Sequence, residues 1–177
     1  MGRSQWVARK EMDHLLAALM PSNAEALRLS MDYGLRIGDV LRLPRSAIEA
    51  GVWHMREEKT GKRRTVRLSD AHTRACMRIC GKEYVFEHRY DWKRHRTRQA
   101  VYKDLKRVAK VFRIPAITPH SARKIYSVER YRQSGGNLAT VKRLLNHSSE
   151  AVTILYAMAD HMSKYNPDGS LKRKDEV

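Results

Sequence analysis

Residues 118–156 read TPHSARKIYSVERYRQSGGNLATVKRLLNHSSEAVTILY, and how this stretch is read decides the fold. Its spacing predicts three short helices. Thr118 is placed to cap the first, with Pro119 at the first helical position, where the missing N–H is no loss. On that helix Ala122, Ile125 and Tyr126 fall on one apolar side. His120 and Arg123 fall on the opposite side, about 60° apart by the 3.6-residue period. His120 lies in the first turn, where unpaired backbone N–H groups and the helix dipole favour an anion. The last helix, after Ser149, carries Ala151, Ile154, Leu155 and Met158 as an apolar stripe at i, i+3, i+4 and i+7. Tyr156 points away from that stripe, so its hydroxyl is free to bind or attack. His147 stands between these helices, just past Leu144, Leu145 and Asn146.

Taken one at a time, these residues have plainer explanations. His120 and Arg123 fit a solvated polar face. His147 fits a helix C-cap, where a cation is favoured. A tyrosine is usually a core residue, although the wheel argues against that for Tyr156. Upstream, Arg36 follows Gly34 and Leu35 and precedes Asp39 by three, so Asp39 is the carboxylate expected to orient the guanidinium. Lys59 sits at the mouth of a predicted hairpin beside Lys62, Arg63 and Arg64, where a generic basic turn would also account for it.

Working outward, Trp6 to Met20 is a predicted helix broken by Pro21. Ser22 to Glu25 has capping-box form and opens a second helix that Gly34 should stop. Ile37 to Leu43 forms a short helix ended by Pro44. Val52–Glu58 and Arg63–Leu68 alternate as strands around Lys59-Thr60-Gly61-Lys62, with Ile48 assigned to a short strand before them. Ser69 caps a helix to Cys80, Glu83 to His88 is irregular or briefly extended, and Thr97 caps a helix to about Phe112. The expected fold class is α+β: a mainly α-helical single domain with a small three-stranded antiparallel sheet. Residues 1–159 form the domain and 160–177 a polar tail.

Composition narrows the partner. The 177 residues carry 36 Lys and Arg against 19 Asp and Glu, a formal net charge of +17, and the pI is about 10.3. Such an excess marks a polyanion partner, nucleic acid before a membrane surface. No apolar run nears the roughly 20 residues needed to span a bilayer, and no signal peptide opens the chain. A soluble, cytoplasmic, nucleoid-associated protein of a bacterial or phage-infected cell is expected. His72, Cys76 and Cys80 make an i, i+4, i+8 stripe, but three ligands on one straight helix lie too far apart to close on one zinc ion. No metal and no cofactor are expected.

The five-part order of Arg36 in GLRIGDVLRL, Lys59 in EEKTGK, His120 and Arg123 in TPHSAR, His147 in LLNHSS and Tyr156 nine residues later resembles the catalytic domain of tyrosine recombinases, the phage integrase family. The resemblance covers the chain from about Trp6 to Tyr156. It departs at Lys124, where many members carry His. It also shows no separate core-binding domain ahead of the catalytic one, as in an excised catalytic domain or an unusually short recombinase. The resemblance implies that Tyr156 attacks a DNA phosphodiester, leaving a 3′-phosphotyrosyl link and a free 5′-hydroxyl. Arg36 and Arg123 would clamp the non-bridging oxygens, with His147 as a further donor. Each such donor contributes on the order of 3 kcal/mol to the transition state. Phenols ionise near pH 10, so an acceptor is needed, and His120 is the candidate for that role or for tuning the phosphate environment. Lys59 would protonate the leaving 5′-oxygen, and Asp39 would support Arg36 from behind. Arg94, Arg96, Arg98 and Lys103 are the candidate DNA-backbone contacts. The family resemblance also implies a tetramer on two duplexes, with the 160–177 tail passed to a neighbour, and an accessory DNA-bending protein as a possible partner. Rival readings are a type IB topoisomerase, a telomere resolvase and a non-catalytic DNA-binding regulator.

Overall fold

The computed structural model describes residues 7–114 and 116–145. The expected helix around Tyr156, His147 and the 160–177 tail all lie outside the described residues. The chain divides into two compact units, 1–126 and 127–177.

The first unit is built around α2 (Pro21–Tyr33), whose Asn23 to Leu27 and Leu29 to Met31 are buried. Such all-round burial makes a central helix, not a surface one. α1 (Arg9–Ala17) lays Met12, Leu15 and Leu16 against it. The start of α2 differs from expectation. Pro21 is itself the first residue of the helix, and Met20 takes the cap position in extended conformation, as proline's fixed φ favours. Glu25, expected in a capping box, is buried and bonds instead to His72. The helix stops where expected: Gly34 is left-handed at φ 64°, and its N–H bonds to the Ser30 carbonyl.

Two short helices follow, α3 (Ile37–Leu41) and α4 (Arg45–Glu49). The second corrects the expected strand at Ile48. Pro44 supplies an extended N-cap, Arg45 and Glu49 pair at 2.8 Å across one turn, and Ala47 and Ile48 are buried. The local i, i+4 pairing overrides the β preference of an isolated isoleucine. The sheet is therefore not three-stranded. Among the described residues β1 (Val52–Arg56) pairs only with β2 (Arg63–Arg67), antiparallel, with Trp53 opposite Val66. A second two-stranded ribbon joins β3 (Glu87–His88) to β4 (Asp91–His95). β4 has no apolar alternation, and none of its residues is buried.

α5 (Asp70–Ile79) begins at Ser69, whose hydroxyl accepts from the His72 N–H, and α6 (Arg98–Val111) at Thr97, whose hydroxyl accepts from the Ala100 N–H. Both caps fall where the sequence placed them. α7 (Pro119–Gln133) carries Ala122, Ile125 and Tyr126 into the interior as expected. In the second unit, α8 (Leu138–Leu144) is capped by Asn137 and buries Val141.

The His72 stripe is electrostatic rather than metal-binding in form. Nδ1 lies 2.7 Å from Glu25 Oε1 and Nε2 lies 2.9 Å from Asp32 Oδ2, and Asp32 in turn pairs with Arg9 at 2.9 Å. The cluster ties α5 to α2. Burial alone would push the imidazole down, but hydrogen bonds to Asp32 and Glu25, and their charges, raise it to about 9. Burial raises the Cys76 thiol to about 12, with the Glu25 charge adding to the effect. A histidine raised above its ordinary 6.5 contributes full stability below that value and loses it as pH climbs through 9. Urea unfolding should therefore show the native chain losing about 1–2 kcal/mol between about pH 7 and 9. His72→Gln should be less stable at neutral pH and flat across that window.

Candidate active site

The site begins at Gly34. Its positive φ suits a residue without Cβ, and a Cβ there would overlap the ring of Tyr126. Its carbonyl accepts from Arg123 Nη1 at 2.9 Å. Two residues on, Arg36 precedes α3 in extended conformation. The turn at the end of α2 thus seats one arginine and presents the other.

Arg123 is more enclosed than its helical wheel suggested. It is among the largest fully buried side chains, at 1% exposure, while His120 one turn earlier is exposed. Lys124 is buried as well. Guanidinium groups tolerate such burial when carbonyls and carboxylates surround them.

Arg36 is not held by Asp39, contrary to expectation. Its Nη1 pairs at 2.9 Å with Oε2 of Glu57. Asp39 Oδ1 instead accepts from Arg42 Nη2 at 2.7 Å and from the Glu58 N–H at 2.9 Å. Arg42, one turn on, takes this carboxylate, while Arg36 turns to the buried Glu57. Arg36 is still extended, whereas Arg42 lies a full turn beyond Asp39. Asp39 still touches the start of the turn that carries Lys59, through the Glu58 N–H.

Sequence reading missed Glu57, although a signal was present. Trp53, Met55 and Glu57 are two apart and all buried, so the strand alternation puts a carboxylate on the core face. Glu57 Oε2 also accepts from Thr60 Oγ1 at 2.8 Å, and Arg64 Nη1 lies 3.7 Å from Oε1. Burial would raise this carboxyl. Hydrogen bonds from Thr60 and Arg36, with the charges of Arg36 and Arg123, outweigh that and hold it below the usual range. The same carboxylate therefore feels both arginines.

Lys59 is exposed on the turn between β1 and β2. That turn closes through Glu57 N–H to the Lys62 carbonyl and Gly61 N–H to the Glu57 carbonyl, both 2.9 Å, with Gly61 left-handed at φ 67°. A cleft of about 280 Å³ is lined by Arg36, Asp39, Glu58, Lys59 and Arg98. Its three cations outnumber its two carboxylates, so the opening favours an anion such as a phosphate diester over a cation.

The four expected backbone contacts divide. Arg98 lines the cleft. Arg94 on β4 and Lys103 on α6 are exposed. Arg96 is engaged internally: Nε donates to Asn23 Oδ1 at 2.7 Å, and Asn23 Nδ2 donates to Asp104 Oδ2 at 2.7 Å. Asp104 also accepts from the Met20 N–H at 3.0 Å and from Arg107 Nη2 at 2.7 Å. Among the described residues no cluster of three or more His, Cys, Asp or Glu could hold a metal ion, and no helix is long and apolar enough to cross a membrane.

This arrangement belongs to a known class. The phage integrase family model matches residues 5–162, and the chain is a member of that family. Three solved structures share the fold. XerA recombinase aligns with a TM-score of 0.66 at 16% identity, covering 93% of this chain and 65% of that one. The lambda integrase catalytic core gives 0.65 at 19%, covering 81% and 91%. A lambda integrase tetramer bound to a Holliday junction gives 0.67 at 18%, covering 87% and 48%. The chain thus spans about two thirds of the XerA recombinase chain and about half of the longer lambda integrase chain. No curated protein matches it.

The division among the arginines has a direct test in thermal unfolding. Arg96→Ala should cost about 1–3 kcal/mol, because it strips a donor from a buried amide. Arg98→Ala should stay within about 0.5 kcal/mol of the native chain, as expected for a side chain facing an open cleft.

Proposed function

We propose that the chain is the catalytic domain of a site-specific DNA recombinase, an integrase that cuts and rejoins strands through a 3′-phosphotyrosyl intermediate. The observation that carries this is the meeting of Arg36 and the Lys59 turn at the buried carboxylate of Glu57, with Arg123 seated on the Gly34 carbonyl two residues before Arg36. Family membership supports it.

In the proposed reaction, Tyr156 Oη attacks the scissile phosphorus and the P–O5′ bond breaks. The phenolic proton passes to His120, and Lys59 protonates the departing 5′-oxygen. Arg36 and Arg123 offset the charge that builds on the non-bridging oxygens, with His147 as a further donor. The covalent link conserves the ester bond energy, so a second 5′-hydroxyl reverses the step without ATP. Double-stranded DNA is the partner. Its phosphates are met by Arg94, Arg98 and Lys103, which give affinity without reading sequence. By analogy with the lambda integrase tetramer on a Holliday junction, the working unit is a tetramer on two duplexes. In it residues 1–159 act as the catalytic domain, the 160–177 tail is exchanged between protomers, and a DNA-bending protein assists. The site of action is the nucleoid in the cytoplasm.

A nicked suicide duplex carrying the attachment site, resolved on a denaturing gel, tests the reading. The native chain should form a covalent adduct, and Tyr156→Phe should form none while still binding DNA. Arg36→Ala and Arg123→Ala should each slow adduct formation by about 100-fold or more, with far smaller effects on binding. An adduct that persists in Tyr156→Phe would refute the nucleophile assignment.

A further inference from the structure

Glu57 has a geometry that suggests more than stabilisation. At 1% exposure it is the buried end of the Trp53–Met55 face, and Arg36, Thr60 and Arg64 are among its partners. One oxygen, Oε2, accepts both from Arg36 Nη1 at 2.9 Å and from Thr60 Oγ1 at 2.8 Å. Thr60 is the residue next to Lys59 in the turn, and the Glu57 backbone closes that turn through both its N–H and its carbonyl. The other oxygen faces Arg64 at 3.7 Å, and Arg64 reaches the Tyr33 carbonyl at the end of α2. One carboxylate therefore joins the strand that carries the turn, the turn that carries Lys59, and the guanidinium of Arg36.

A carboxylate removed from water holds its place only while cations and donors surround it. The converse also holds: a guanidinium with five donors and a long stem is fixed in direction only when a buried acceptor takes part of its fork. Asp39 does not do this for Arg36: its Oδ1 serves Arg42 and the Glu58 N–H, whereas Arg36 Nη1 pairs with Glu57. We propose that Glu57 is a positioning residue for DNA cleavage, setting Arg36 and the Lys59 turn in one geometry before DNA arrives. This rests on the reading of the chain as a DNA-cleaving recombinase.

The test is a double-mutant cycle on single-turnover adduct formation at saturating DNA, using the native chain, Glu57→Gln, Arg36→Ala and the double variant. Thermal unfolding confirms that each is folded. Glu57→Gln should slow the native chain by about 10- to 100-fold, the scale of a misplaced catalytic group. In the Arg36→Ala background the same change should cost less than about threefold, because the group it positions is already gone. DNA affinity should change little. Glu57→Asp keeps the charge on a shorter stem and serves should the glutamine variant not fold. It should show a smaller loss and the same failure to multiply. Losses that multiply in the double variant, or a Glu57→Gln chain that cleaves at the native rate, would overturn the proposal. A native chain that forms no adduct at all would instead overturn the recombinase reading on which it rests.

Discussion

The structure depends on a position where no side chain fits. Gly34 ends α2 in the left-handed region, and the ring of Tyr126 packs where its Cβ would be. Because the ring sits so close, α7 approaches the end of α2 closely enough for Arg123 to reach the Gly34 carbonyl. Because the backbone turns there, Arg36 emerges two residues later, still extended. Two arginines nearly ninety residues apart in sequence are thereby set by one turn. An alanine at this point would face both the strain of a positive φ and an overlap with the ring, together costing about 2–3 kcal/mol.

Charge balance then shapes the rest of the site. A chain with a net charge of +17 has few carboxylates to spend, and it buries several of them beside its cations. Glu57 sits among Arg36, Arg64 and Arg123, Asp39 holds Arg42, and Asp104 holds Arg107 and, through Asn23, Arg96. Each contact holds a long side chain in one direction. Facing the cleft are Arg36, Lys59 and Arg98, the last two exposed. Arg36 belongs to both groups, held by Glu57 and facing the cleft.

Much of this was legible in the sequence, and the exceptions have physical causes. Ser69 and Thr97 are short polar side chains ahead of periodic helices, and they cap as expected. Gly34 and Gly61 mark left-handed positions that few other residues tolerate. The expectation that Arg36, Lys59, His120 and Arg123 act together rests on their order along the chain, which spacing alone does not relate. Ile48 misled because one β-branched residue weighs less than a local helix closed by an i, i+4 ion pair. β4 carries no alternation to read, since both its faces remain at least partly exposed. The partner of Arg36 was assigned to the nearest carboxylate in sequence, whereas a strand on the other side of the site supplies the real one. Long-range pairing of that kind leaves a trace only in the placement of Glu57 on a buried strand face.

The central claim is that these side chains serve a tyrosine nucleophile that takes the 3′ side of a cut strand. Mapping the bond itself tests this most directly. The covalent adduct formed on a nicked suicide duplex would be digested with protease and nuclease, and the modified peptide sequenced by mass spectrometry. The expected result is a single peptide bearing a 3′-phosphonucleotide on Tyr156. A nucleotide joined through its 5′-phosphate, or carried on any other residue, would contradict the account.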